Sequence, residues 1–149
     1  MTVAFREARA RDLKAIVAML ADDDLGRGRE NPADLEHYSL ILGQIEGDVR
    51  NAIIVAEQDG AVVGCFQITY ITGLSRHGAT RALIEGVRTA AGARGQGIGE
   101  AMFRHAIALA RDRGCTLVQL TSDKARSRAH AFYRRLGFKM SHEGFKLDL

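Results

Sequence analysis

Residues 92–102 read GARGQGIGEAM: Gly92, Gly95, Gly97 and Gly99 fall within eight positions, and helical hydrophobic spacing begins directly after them. Glycine-dense turns that open helices gather unpaired backbone N–H groups at the positive end of the helix dipole, which suits an anion. A ligand-free strand-to-helix turn has the same composition. Spacing narrows the choice. A P-loop needs Gly-Lys-Ser/Thr at the helix start, but Ile98-Gly99-Glu100 stands there, so the lysine and the metal-binding hydroxyl are missing. A dinucleotide fingerprint needs a third glycine where Glu100 stands, and no βαβ unit begins the chain. What remains is either a backbone nest for a pyrophosphate-like anion or a turn that holds nothing.

Outward from the turn, Ile98, Met102, Ala106 and Leu109 form one helix face, with Gly114 placed to end the helix. Upstream, Arg81–Thr89 is strand-like and Ser75–Thr80 is a polar loop. Asn51–Glu57 and Ala61–Ile71 are rich in Val, Ile, Phe and Tyr and flank Gln58-Asp59-Gly60, which predicts an antiparallel hairpin. A short strand is expected at Val3–Glu7, a helix through Leu13, Ile16, Val17 and Leu20, and a second helix across Ala33–Glu46. Downstream, Cys115–Leu120 reads as a buried strand. Asp123 is placed to cap a helix through Ala129, Phe132, Tyr133 and Leu136, ended by Gly137, and Phe138–Leu149 reads as a last strand or hairpin. This order describes one α+β (mixed α/β) domain, residues 1–149, around a central sheet.

The chain is 46% apolar and 26% charged, the balance of a globular domain rather than a disordered or fibrous one. Its apolar runs fall short of a membrane span, and the first residues lack a signal-peptide pattern, so a cytoplasmic location and no membrane partner are expected. Cys65 and Cys115 sit in apolar segments with no Cys-x-x-Cys or His-Cys cluster, so they read as small buried hydrophobes and no metal is expected. A net charge of +3 without a long basic block suits an anionic small ligand and gives no reason to expect nucleic acid.

Two separated motifs, in order, carry a family resemblance. Arg94-Gly95-Gln96-Gly97-Ile98-Gly99 resembles the [RQ]xxGx[GA] signature of the GNAT superfamily of acetyl-CoA-dependent N-acetyltransferases, and LIEGVRTAAGARGQGIG resembles that family's fourth strand entering its pyrophosphate turn. AHAFYRRLGF resembles the later segment in which an aromatic pair ends a helix and LGF starts the next strand. The resemblance implies a mostly antiparallel twisted sheet of about 6–7 strands, with strands 4 and 5 splayed, flanked by about 4 helices.

It also implies roles, residue by residue. The amides of Gly95, Gln96, Gly97, Ile98, Gly99 and Glu100 would bind the pyrophosphate of coenzyme A, with Arg94 beside it. Backbone groups of Val87 and Thr89 would bond the pantetheine arm, and the Val87 N–H would face the thioester oxygen. Glu85, four residues before Thr89 and directed by strand alternation to the same side, is either the base that deprotonates the amine, directly or through water, or a solvent-facing carboxylate. Tyr133 matches the position of the acid that protonates the leaving thiolate; otherwise it is a core aromatic. Relatives often carry asparagine where this chain has Arg126, which with Lys124 and Arg128 either meets the nucleotide's phosphate or lies on a solvated helix face. Thr89 replaces the usual valine, and Gly92 a common proline.

Acetyl-CoA is thus the expected donor, and a small-molecule amine the expected acceptor, with a protein amino group as an alternative. A coenzyme A-binding regulatory module without turnover is the reading from another class. Homodimers are common in the family, so a homodimer is a further expectation. Asp22-Asp23-Asp24 is either a lure for a cationic amine or a solvated turn. His77 and His142 either border the acceptor pocket or are satisfied polar residues, while His37, His105 and His130 lie on expected helices.

Overall fold

The structure is a computed structural model and describes residues 2–149. Val- and Ile-rich Asn51–Gln58 and Ala61–Thr72 form β2 and β3, a hairpin closed by the two-residue turn Asp59-Gly60. Ala4–Glu7 (β1) pairs antiparallel with β2, and Thr80–Thr89 (β4) pairs antiparallel with β3. Leu117–Gln119 (β5) joins β4 in parallel, giving one five-stranded sheet in the order β1-β2-β3-β4-β5. Five helices accompany it: α1 Leu13–Ala21, α2 Leu35–Glu46, α3 Ser75–Gly78, α4 Ile98–Asp112 and α5 Ser127–Arg135.

Three expectations are corrected. The sheet has five strands rather than 6–7, because Phe138–Leu149 forms no strand; Phe145, Leu147 and Leu149 alternate as a strand would, but all three are exposed and the segment has no ladder partner among the described residues. Among the described residues there are five helices rather than about four, because the expected polar loop at Ser75–Thr80 contains the single turn α3, whose Arg76 and His77 lie in the left-handed region at φ 53° and 62°. Asp123 also does not cap α5. Its carboxylate accepts the Ala125 N–H at 2.9 Å in the preceding turn, and the helix starts at Ser127.

The chain divides into two units, Met1–Gln119 and Leu120–Leu149. The first has a core on each face of its sheet. On one face Ile16 and Met19 of α1 pack with Val55 and Cys65, and Leu20, Val62 and Ala90 close over them. The other face carries Ile54, Phe66, Ile68, Ala82 and Ile84 and is covered by α4, whose Met102, Phe103 and Ala106 are buried. His105 of α4 stacks on Phe5 there at 4.3 Å, and burial lowers the pKa of its imidazole. Arg6 joins Asp12 and Glu57 across β1 and β2, with Nη1 2.7 Å from Asp12 and Nε 2.7 Å from Glu57. In the second unit, Phe132, Tyr133 and Phe138 form an edge-on aromatic cluster that fixes the turn after α5.

Candidate functional site

The glycine turn forms as its composition demands. Gly95 and Gly97 both lie at φ 79°, a region costly for any residue with a Cβ, and a Cβ built on either would meet nothing within 4 Å. Gly97 is the N-cap of α4, and no side chain caps that end. The first carbonyl used by the helix is that of Gly97, which accepts the Ala101 N–H at 3.1 Å. The amides of Ile98, Gly99 and Glu100 therefore precede the helical ladder. That is a fit for a phosphate group: uncapped donors at a positive dipole end, beside two glycines with open space around them.

The other functional segment, β4, is interrupted. Gln67 pairs with Glu85 and Cys65 with Arg88, so Phe66 alone opposes Gly86 and Val87. Gly86 has φ 60°, which makes this a β-bulge of the type built on a left-handed glycine. The extra residue reverses the alternation. Glu85 and Arg88 share a face with Gln67 and Cys65, whereas Thr89 pairs with Gly64 and lies on the α4 face. The expectation that Glu85 and Thr89 point to one side is therefore wrong. An isolated Gly86 inside a strand pattern was the available signal.

Beyond the bulge, β4 has one open edge. β5 pairs with it only through Arg81, Ala82 and Leu83, so Ile84–Thr89 has no partner on the β5 side among the described residues. Val87 and Thr89, half-buried, lie along this open stretch, and Glu85 beside them is exposed. The 3₁₀ turn Ala91–Ala93 then leads to Arg94 and the cradle.

Charged side chains around these segments are engaged. The Arg94 guanidinium lies 3.3 Å from Asp22, with both exposed, and Arg88 lies 3.0 Å from Asp23 with both half-buried. Asp23 also accepts the Gly26 N–H, and Asp24 lies 3.6 Å from Arg27. The acidic run after α1 thus ties that loop to β4 and to the cradle's first residue. Burial pushes the Cys65 thiol up to about 11, so it stays protonated beside the Gly86 carbonyl, 3.8 Å away.

Tyr133 and Arg126 belong to the second unit. Tyr133 is half-buried against Phe132 and Phe138, and Arg126 is exposed at the N-cap of α5. The histidines are mostly accounted for locally. His142 hydrogen-bonds Ser141 at 2.7 Å, His130 meets the Asp123 carbonyl at 2.9 Å, and the His37 ring lies edge-on to Tyr38 at 5.9 Å. His77 is exposed in α3.

The family model described as the acetyltransferase (GNAT) family matches residues 7–138. The chain belongs to that family. Among solved structures it is similar to a transcriptional regulator from Bacillus halodurans C-125, at 47% identity over 99% of this chain and 100% of that one, with a TM-score of 0.95. It is also similar to a putative acetyltransferase from Agrobacterium tumefaciens str. C58, at 25% identity over 98% and 99% of the two chains, with a TM-score of 0.87. A predicted acetyltransferase with acetyl-CoA from Clostridium acetobutylicum shares the fold, at 17% identity over 99% and 96%, with a TM-score of 0.75. No curated protein matches the chain. Among the described residues, no helix is long and apolar enough to cross a membrane.

Proposed function

We propose that the protein transfers the acetyl group of acetyl-CoA to a primary amine of a small molecule, by direct attack in a ternary complex. The observation that carries this reading is a bulged β4 with an open edge leading into a glycine cradle at the start of α4. The residues fit the donor. The Gly95–Glu100 amides hold the pyrophosphate, with Arg94 adding positive charge, and the open edge at Val87 and Thr89 offers ladder hydrogen bonds to the pantetheine amides. Arg126 meets the nucleotide's phosphate.

The chain's own groups then do three things. The Val87 N–H donates to the thioester oxygen, where negative charge develops as the amine nitrogen attacks the carbonyl carbon. Glu85, exposed on its strand, takes the proton of the incoming ammonium directly or through a water. Tyr133 protonates the sulfur as the C–S bond breaks and is restored by the second proton that the attacking nitrogen sheds, directly or through a water, so that a neutral amide and free coenzyme A leave. Most of the acceleration comes from holding two substrates together beside a fixed donor.

The test is release of free thiol from acetyl-CoA across a panel of small amines and peptide amino groups, with product masses recorded. Acetylation of a small amine supports the lead reading, and acetylation of only peptides would move the acceptor to protein. The relative from Bacillus halodurans is named a transcriptional regulator, which favours a second reading, a coenzyme A-binding regulatory module. Tight binding of acetyl-CoA with no transfer to any amine would select it.

A further inference from the structure

Arg88 contributes no catalytic atom to the scheme above, yet its guanidinium is held by two partners. The side chain is half-buried and turned back on its own strand: Nη1 donates to the Val87 carbonyl at 2.9 Å, and Nη2 lies 3.0 Å from Asp23. Its Nε is buried without a partner. A buried donor left unsatisfied is costly, so the geometry is set by the two groups that the guanidinium does reach. One is the carbonyl of the bulge residue. The other is the carboxylate that turns the loop after α1.

The peptide on the other side of Val87 is held as well. The Cys65 thiol lies 3.8 Å from the Gly86 carbonyl. In a planar trans peptide the carbonyl and the next N–H point in opposite directions, so this contact turns the Val87 N–H away from Cys65. Both peptides flanking Val87 are thereby pinned, one weakly by sulfur and one strongly by Arg88. The bulge needs such support, because its extra residue is left out of the ladder that fixes the rest of β4.

We propose that Arg88 is a positioning residue for acetyl transfer: clamped between Asp23 and the Val87 carbonyl, it fixes the peptide that follows Val87 and so restrains the bulge residue whose N–H faces the thioester, and it links the loop after α1 to that residue. The inference rests on the acetyl-transfer reading. It singles out arginine, because a planar fork with several donors reaches both oxygens at once, whereas a lysine ammonium is a compact point charge on a flexible stem.

The experiment follows the Val87 amide signal in a nitrogen–proton NMR spectrum as acetyl-CoA or coenzyme A is added to wild type, Arg88→Lys and Asp23→Asn. Transfer to an amine from the panel is measured alongside. In wild type, acetyl-CoA should move the Val87 proton downfield relative to coenzyme A. Arg88→Lys keeps the charge facing Asp23 and should stay folded, lose that acetyl-dependent difference, and slow transfer about ten-fold while acetyl-CoA affinity changes by less than about two-fold. Asp23→Asn should change both readouts in the same direction by a smaller factor. Wild-type behaviour of Arg88→Lys in both readouts overturns the positioning role alone. A wild-type Val87 signal identical with the two ligands, together with no thiol release, overturns the acetyl-transfer reading and this inference with it.

Discussion

Replacing Gly97 with alanine separates the cradle's role in the fold from its role in binding. Gly97 sits at φ 79°, ψ 12° and caps α4. An L-residue held there costs about 1–2 kcal/mol, offset by roughly 0.4–1 kcal/mol because alanine has less freedom than glycine in the unfolded chain. A Cβ on Gly97 meets nothing within 4 Å, so no clash adds to this backbone cost. The net loss of about 1 kcal/mol lowers the melting temperature by about 2–4 °C for a domain of this size. Binding should suffer more, because the new methyl occupies the open approach to the amides of Ile98, Gly99 and Glu100. Losing one hydrogen bond to a charged phosphate, at about 1.5–3 kcal/mol, weakens coenzyme A by roughly 10- to 100-fold. Gly92 is the matched control. It lies in the same connection, is exposed, has no left-handed φ, and has open space around its built Cβ. Titration calorimetry with coenzyme A, beside thermal melts of Gly97→Ala, Gly92→Ala and wild type, measures both effects. A Gly97→Ala protein that melts lower yet binds coenzyme A as wild type does would refute the cradle.

Other substitutions test the remaining chemistry and the frame that holds it. Glu85→Gln should lower the rate of thiol release about 100-fold at neutral pH and recover part of it as rising pH deprotonates the amine; a pH profile parallel to wild type would remove Glu85 as the base. Tyr133→Phe should slow transfer about ten-fold with little change in coenzyme A affinity, and an unchanged rate would leave Tyr133 a packing residue. Asp12 is buried and takes two hydrogen bonds from Arg6, which hold its carboxyl below the usual carboxylate range. Its stabilisation is thus present above the unfolded aspartate pKa of about 3.9 and is lost as pH falls through the lower folded value. Asp12→Asn should cost about 2–3 kcal/mol at pH 7 in urea unfolding, less than for a fully sealed pair because Arg6 is a quarter exposed and keeps Glu57; the gap should close on acidification. Phe103→Ala empties a site only 2% exposed between α4 and the sheet and should cost about 3–5 kcal/mol in the same assay.

Much of the architecture was legible because local signals agreed with one another. The β-branched runs at Asn51–Gln58 and Ala61–Thr72 flank Asp59-Gly60, and this pairing fixes a hairpin register without help from the rest of the chain. The α4 face through Ile98, Met102 and Ala106 is buried as its spacing requires. Where signals were purely local but the outcome depended on a partner, the reading failed. Residues 145–149 alternate like a strand, yet alternation creates only a face to bury, and a strand also needs a neighbouring ladder. The left-handed turn at Arg76 and His77 was invisible because neither residue favours that region; only Gly78 beside them does.

The bulge at Gly86 shows why the candidate site was harder to read than the fold. Period-2 alternation assigns faces by counting, and one inserted residue reverses every assignment beyond it. Counting from Thr89 puts Glu85 on its side, but the register puts Glu85 with Arg88 and Cys65, facing α1, and leaves Thr89 facing α4. A regular strand would keep strict alternation and leave Glu85 and Arg88 on opposite faces. With the extra residue, the face carrying Glu85 also carries Arg88, and through Arg88 it meets the loop after α1 at Asp23. An acceptor approaching Glu85 therefore approaches the side of the sheet that α1 and its acidic loop cover. Acceptor selectivity should accordingly respond to changes at Asp22–Arg29 more than to changes on α4, a difference that the amine panel can measure with loop and α4 variants of equal stability.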